Sequence, residues 1–416
     1  MISVDQAKRL VLKEILPLKE TEVLRFSSCL DRVSAVDIRS KENIPPFDNS
    51  AMDGFAVKAK DTIGASKTSP KIVEVIENLP AGYTAKKTIK PNQAIRIMTG
   101  APLPHGADAV VMVENTRIKS QIPNPKHPSQ EYIEILKEVR SGENVRYAGE
   151  DVKKGEVVIK KGMRLGPGHI GMLASLGVSK VKVFRRSKVA ILATGDELVS
   201  VGAYCNTPLP PGKIRNSNTY SLCSQVEKMG AVPIILGIAR DKKMELEKKI
   251  RKGLTADMLL VSGGVSVGDY DFVKLVLKKI GADMKFWKVA MRPGKPLAFG
   301  IVNKAPVFGL PGNPVSSMVS FEIFVKPAIS KMMGQRIDEK TEVAARIEED
   351  ISKKRGLRYF LRANTHSQDG KYLTKTTGPQ GSGILKSMVL ANSLIILPEE
   401  KAFIKKGSLV KVRFLD

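Results

Sequence analysis

The alternation of apolar and polar residues changes rhythm several times along the chain. Near the start, apolar side chains recur at helical spacing, with Leu10, Val11, Ile15 and Leu16 assigned to one face. A second helical pattern is expected after Thr21. From Lys71 to about Glu138 the pattern shortens to β-like runs broken by Gly and Pro (KIVEVIENL, AIRIM, DAVVMVE, YIEILKEV), which predicts a mostly β domain. The three-proline segment SQIPNPKHPSQ is expected as a mobile hairpin tip. Hairpins and a small helix follow up to about residue 180.

From SKVAILATGDEL the rhythm becomes that of α/β structure. The strand candidates VAILAT, VPIILGI, DMLLVS and FWKVAM alternate with helical stretches at 217–229, 242–253 and 271–280. That period predicts a parallel sheet covered by helices, closed by a long apolar helix over 314–333. Beyond Gly334 the runs TEVAARIEE, RYFLRANT, NSLIILPEE and SLVKVRFL return to alternation and predict a small β domain.

A chain of 416 residues suits two to four such domains. Its 68 Lys and Arg against 42 Asp and Glu give a formal net charge of +26, which attracts anions of any kind. The basic residues are interleaved with acids, and aromatics make up only 5%, which argues against a stacking, base-reading surface and against specific nucleic acid as the partner. Three scattered cysteines (Cys29, Cys205, Cys223) provide neither a disulfide framework nor a zinc site. No stretch reaches the roughly 18 apolar residues of a membrane span. A cytoplasmic location is expected.

The chemistry concentrates at predicted strand ends. PPFDNSAMDGFAV (45–57) presents Asp53 on a proline-stiffened loop, and RIMTGAPLP places Thr99 and Gly100 just after a strand. His105, with no partner at ligand spacing, is read as structural. LATGDEL brings Asp196 and Glu197 to the carboxyl end of the first parallel strand, where open α/β sheets bind ligands. Asp196 reads as a helix cap, and Asp241 as a cap or a further acid. In IRNSNTYSL one of Asn216, Ser217 and Asn218 must cap the next helix, leaving the others to bind.

SGGVSVGDYDF (262–272) reads as strand, glycine loop and helix, the arrangement that aims backbone N–H groups at an anion. RPGKP supplies Arg292 and Lys295, and GLPGNPVSS turns into a helix with Ser316 and Ser317 in its first turn. Clustered acids beside clustered donors suit a magnesium–phosphate site.

These strings, in this order, resemble the molybdopterin molybdenumtransferases, the MoeA-like enzymes of molybdenum cofactor biosynthesis, over almost the whole chain. The resemblance implies an α/β multidomain fold. Its parts are an N-terminal linking domain (1–44 with 142–180), an inserted mostly β domain (45–141), a doubly wound molybdopterin-binding domain (181–333) and a C-terminal β-barrel-like domain (334–416). It implies that molybdate, or tungstate, is placed on adenylylated molybdopterin with Mg²⁺-dependent release of AMP.

It also implies site residues. Asp53, Thr99, Glu197, Asp241 and Asp271 take catalytic positions, with Asp241, Asp271 and Glu197 holding the metal. Gly263, Gly264, Ser266, Gly268, Ser217, Asn218, Pro311, Gly312 and Asn313 line the substrate. Arg292 and Lys295 counter its charge, and Lys295, Ser316, Arg362 and Ser382 receive molybdate. Arg292 stands where relatives often have lysine, and Asn216 where some have aspartate. A homodimer is expected, with the cleft built between domains, and transient contact with the adenylyltransferase of the preceding step. The alternatives are that adenylyltransferase itself, whose likeness is limited to the α/β domain, and a non-catalytic molybdopterin-binding or scaffold protein.

Overall fold

The computed structural model describes residues 1–119, 131–203, 207–264, 272–335 and 342–415. The segment SQIPNPKHPSQ and most of SGGVSVGDYDF therefore lie outside the described residues. The chain gathers into two units: an α/β unit (1–35, 162–166 and 180–416) and a β unit (36–161 and 167–179).

The α/β unit begins with α1 (Val4–Glu14), opened by a capping box in which Ser3 and Gln6 bond reciprocally. Its buried face is Val4, Ala7 and Val11, with Ile15 just beyond, whereas Leu16 is 74% exposed. The second helical pattern expected after Thr21 is instead a strand, Thr21–Arg25, paired antiparallel with Lys180–Phe184. TEVLR alternates with period two, and the cross-strand partner, remote in sequence, decides in favour of β.

The β unit is built on a six-stranded sheet of β1 (Gly54–Val57), β2 (Lys71–Leu79), β3 (Gln93–Ile97), β4 (Ala109–Met112), β5 (Thr116–Lys119) and β6 (Glu131–Ile135), in the order β4-β1-β3-β2-β6-β5. Alternating residues fill both faces: Phe55, Val111, Ile133 and Ile135 on one, Ala56, Ile95, Ile97 and Val110 on the other. Short ladders join Ile38–Arg39 to Val157–Ile159 and Asn49–Ser50 to Val145–Arg146, and α2 (Pro167–Ser175) is the small helix.

The α/β unit continues with β7 (Lys188–Thr194), α3 (Asn218–Lys228), β8 (Val232–Ala239), α4 (Lys243–Gly253), β9 (Met258–Ser262), α5 (Phe272–Lys279), β10 (Asp283–Lys288), β11 (Pro296–Val302) and β12 (Ala305–Leu310). The sheet order is β8-β7-β9-β12-β11-β10; β8, β7, β9 and β12 run parallel, while β11 and β10 form an antiparallel edge. Two expectations needed correction. FWKVAM does not join a parallel sheet: its strand stops at Lys288, and Met291–Arg292 pairs instead with the barrel described below. The pattern also missed β11 and β12 as strands.

Along β7 the side chains divide strictly: Val189 and Ile191 join α1 and α3 on one face, Ala190 and Leu192 join α4 and α5 on the other. The sheet is doubly wound. The helical run after β12 is continuous from Pro314 to Met332, comprising α6 (Pro314–Ser320), a π turn over Phe321–Val325 and α7 (Lys326–Met332).

The C-terminal strands β13 (Glu342–Ile347), β14 (Arg358–Gln368), β15 (Lys371–Thr376), β16 (Ser393–Leu397) and β17 (Leu409–Phe414) close on themselves as β14-β15-β13-β17-β16-β14. This five-stranded barrel encloses Ala345, Ile347, Leu361, Ala363, Ile395 and Val412. Among the described residues no helix is long and apolar enough to cross a membrane.

Candidate active site

Strand β7 lies at the switch point of the sheet: the chain steps from it to β8 on one side and then crosses to β9 on its other side. The carboxyl ends of β7, β8, β9 and β12 therefore share one edge, and they deliver Gly195–Glu197, Asp241, Gly263–Gly264 and Pro311–Asn313 to it. The turn between β10 and β11 carries Arg292 and Lys295 to the same edge, since Lys288 pairs with Pro296 at the far end of that hairpin.

Asp196 and Asp241 are tied together there. The Asp196 N–H donates to Asp241 Oδ2 at 3.4 Å and the Asp241 N–H to Asp196 Oδ1 at 3.3 Å. Neither caps a helix: α4 is entered at Lys242 without a side-chain cap. The cap reading of Asp196 is thereby replaced by pairing with Asp241. The Glu197 carboxylate folds back over Gly195, where a side-chain carbon would stand 2.3 Å from it; at φ +143° that glycine is required on both counts. Arg240 and Lys213 donate to the Asp196 carbonyl at 3.0 and 2.7 Å, fixing the turn.

The cap of α3 is Asn216, whose Oδ1 accepts from the Thr219 N–H at 3.2 Å while its amide donates to Thr219 Oγ1 at 2.9 Å. Ser217 stays half-buried beside it without a capping bond. Asn218 donates to Ser262 Oγ at 2.8 Å and to the Gly312 carbonyl at 2.7 Å, lacing α3 to the ends of β9 and β12. Its amide is thus engaged within the protein, leaving its carbonyl oxygen for a ligand. Ser266, Gly268, Asp269 and Asp271 lie outside the described residues. Among the described residues no three His, Cys, Asp or Glu side chains group as a metal cage.

The barrel adds a second set of donors. Asn313 donates to Ser382 Oγ at 3.0 Å, joining the end of β12 to the loop before Lys386, and Ser316 is buried in the first turn of α6. Arg362 on β14 is 0% exposed. Its Nε donates to Ser387 Oγ at 3.0 Å and one Nη to the Gly381 carbonyl at 3.1 Å, while among the described residues Nη1 has no partner and no carboxylate pairs with the guanidinium. Burial lowers its pKa to about 10. Gln380 clasps the same backbone from both sides, accepting from Arg362 N–H and donating to its carbonyl.

A cavity of about 740 Å³ opens beside Arg362, lined also by Arg292, Lys353, Lys354 and Tyr359. The Arg292 guanidinium and the Lys353 ammonium both stack on the Tyr359 ring, at 5.6 and 4.8 Å from its centroid. The two acids in the lining are occupied with backbone: Glu349 accepts from Thr376 N–H and Asp350 from Lys406 N–H, each at 2.6 Å. Four cationic side chains thus line the cavity against two acids engaged by backbone N–H groups, a balance that favours negative charge there.

In the β unit, antiparallel pairing of Gly54 with Ile97 sets Asp53 against Thr99. Asp53 Oδ1 accepts from both the Thr99 N–H at 2.7 Å and the Thr99 hydroxyl at 2.8 Å, and these bonds hold its pKa below the ordinary carboxylate value. Both residues are exposed. The residues that sequence reasoning passed over are Gln380 and Tyr359, whose only sequence signal was proximity to Ser382 and to Arg362.

The chain matches, over residues 2–177, the family described as MoeA N-terminal region (domain I and II). Residues 190–331 match a probable molybdopterin binding domain, and 344–415 the MoeA C-terminal region (domain IV). It is 39% identical to a molybdopterin molybdenumtransferase of Bacillus subtilis, across 99% of this chain and 93% of that one. The chain belongs to the molybdopterin molybdenumtransferase family. Another such protein, from Haemophilus influenzae, is 37% identical over 99% of this chain and 98% of that one. A crystal structure of the molybdopterin biosynthesis MoeA protein from Pyrococcus horikoshii OT3 superposes with a TM-score of 0.83 at 32% identity, covering all of both chains. As a member of this family the chain is a transferase of molybdenum cofactor biosynthesis.

Proposed function

We propose that the enzyme transfers molybdate, or tungstate in its place, onto the dithiolene of adenylylated molybdopterin and releases AMP by hydrolysis of the phosphoanhydride. The observation that carries this is the pairing of a phosphate-type edge with an unpaired buried cation next to it. The glycine turn Gly263–Gly264, with Ser266 and Gly268 following, receives the phosphates; Ser217, Asn218, Pro311, Gly312 and Asn313 border them. Arg292 and Lys295 balance the substrate's charge. Arg362, with Ser316, Ser382 and Lys295, takes the oxyanion through charge-assisted hydrogen bonds, which form most favourably where a desolvated guanidinium has no competing carboxylate.

Mg²⁺ fits the donor set at the edge. It is held through one or two carboxylates together with substrate phosphate oxygens and water rather than in an all-protein cage. Asp241, with Glu197 and Asp271, would hold it, and when bound it supplies neutralisation of charge on the pyrophosphate. Asp53 and Thr99 act as an ionised carboxylate and an orienting hydroxyl for water or substrate. The enzyme works as a cytoplasmic homodimer of four-domain subunits that takes its substrate in transient contact with the molybdopterin adenylyltransferase. An adenylyltransferase reading would leave the flanking domains without a task.

AMP release from adenylylated molybdopterin, measured with Mg²⁺ and with or without molybdate or tungstate, tests this. Oxyanion-stimulated release that disappears in Asp271→Ala is the expected result. Tight substrate binding without release under either oxyanion would overturn it in favour of a binding or scaffold role.

A further inference from the structure

Two buried hydroxyls lie directly beneath the glycine turns assigned above to the substrate. Thr194, the last residue of β7, is 4% exposed, and its Oγ1 is enclosed with no hydrogen-bond partner among the described residues. A side-chain carbon on Gly263 would stand 3.0 Å from that oxygen and one on Gly264 2.9 Å from it, so the hydroxyl lies against both glycines. Ser320, 0% exposed, has an Oγ in the same condition. It faces Gly294 in the turn that carries Arg292 and Lys295, where a side-chain carbon would stand 2.7 Å away. The three glycines have φ of +92°, +64° and +100°, a conformation that other residues rarely adopt.

An enclosed hydroxyl without a partner destabilises the protein, and an apolar side chain of the same shape is the better choice for folding alone. Valine in particular matches threonine in shape and suits a strand. Of the seven buried side-chain atoms without a partner among the described residues, Thr194 Oγ1 and Ser320 Oγ lie against these turns, and a third, Arg362 Nη1, belongs to a residue that lines the cavity. Fold stability alone does not favour a hydroxyl at either turn.

We propose that Thr194 and Ser320 are positioning residues for the transferase reaction: their hydroxyls pair with backbone of the glycine turns when a phosphate-bearing substrate draws those turns into the bound arrangement. This rests on the assignment of the turns to the substrate. The hydroxyls touch the turns and not the reacting atoms, so they act on substrate affinity more than on the chemical step.

The test uses the full chain with Thr194→Val, Thr194→Ser and Ser320→Ala. Thr194→Val should melt at or above the wild-type Tm and raise KM for adenylylated molybdopterin about three- to tenfold, the worth of one neutral hydrogen bond, with a smaller change in kcat. Thr194→Ser should restore KM, and Ser320→Ala should weaken affinity in the same direction. Calorimetric titration with inorganic pyrophosphate gives a readout that does not depend on turnover. A fall in Tm for Thr194→Val overturns the proposal, because the hydroxyl would then have its partner in the free protein. Unchanged KM and pyrophosphate affinity overturn it as well. If the wild type releases no AMP, the functional assignment fails, and the Tm and pyrophosphate results still decide this inference; absence of pyrophosphate binding by the wild type overturns it.

Discussion

The two units treat charge in opposite ways. In the β unit the candidate carboxylate is satisfied locally: Asp53 is exposed, and Thr99 supplies two hydrogen bonds that keep it ionised. In the α/β unit it is a cation that stays unsatisfied: the exposed Asp196 and Asp241 each accept a long hydrogen bond from the other's backbone N–H, whereas Arg362 is enclosed and its Nη1 has no partner among the described residues. A group that is already paired can act on a ligand at little cost of reorganisation. An unpaired one in a dry site gains its pairing energy only when the ligand comes, so it is there that binding is strongly coupled to the substrate's charge.

The sharpest test of this contrast removes the edge carboxylate. Asp241→Ala is expected to lower oxyanion-stimulated AMP release by about 10²–10³-fold, the scale seen when one electrostatic contact to a developing charge is lost. Titration with Mg²⁺ should show a weakened response, and thermal melting should be little changed. Retained activity would move the chemistry away from that edge.

Asp53→Ala comes next and probes the other unit. Activity should be abolished to the limit of the assay, a loss of about 10²-fold or more, with circular dichroism and Tm preserved because the side chain is exposed. A loss of stability on the scale of a core truncation, about 2–5 kcal/mol, would make Asp53 a structural residue instead.

Arg362→Met is expected to weaken molybdate binding by about 10–100-fold, the range for hydrogen bonds to a charged group. It should leave Tm unchanged or raised, since an apolar side chain replaces a buried charge without a partner. A steep fall in Tm would show that the guanidinium serves the barrel. The sign of the pH effect follows from its depressed pKa of about 10. The unfolded chain binds the proton more tightly, so the destabilisation is full below pH 10 and is relieved as pH rises above it.

The smallest effect belongs to Thr99→Val. Asp53 has its pKa depressed by the Thr99 bonds, so the stabilisation from them is present above the ordinary carboxylate value of 3.8 and is lost as pH falls through the lower folded value. Removing the hydroxyl should move the acid limb of the pH–rate profile upward, with the backbone bond retaining part of the depression. An unmoved limb would mean that another group titrates there.

Much of this was legible along the chain for reasons that can be named. Helices α3, α4 and α5 were expected at 217–229, 242–253 and 271–280 and are found at Asn218–Lys228, Lys243–Gly253 and Phe272–Lys279, because each carries a periodic apolar face between strand signals. Strands β11 and β12 were missed because both are buried and their apolar runs show no alternation. TEVLR was misjudged because its partner strand is more than 150 residues away. Arg362 could be singled out only through the family resemblance. Its burial follows from strand register, which puts it on the same side of β14 as Phe360 and opposite Leu361.

By itself the sequence determined the succession of domains, the glycine turns at strand ends and the types of chemistry assembled there, since each depends on local spacing and backbone conformation. Only the tertiary structure decided which of those groups are spent and which remain available. Asn216 and Asn218 differ by two positions, yet one caps a helix and the other laces three elements together. Asp196 turned from a cap into the partner of Asp241, and Thr194, at the end of its strand, carries a hydroxyl that lies against Gly263 and Gly264 with no partner among the described residues. The partners of Asn218 and the pairing of Asp196 with Asp241 come from chain segments far apart in sequence, and no local pattern encodes them.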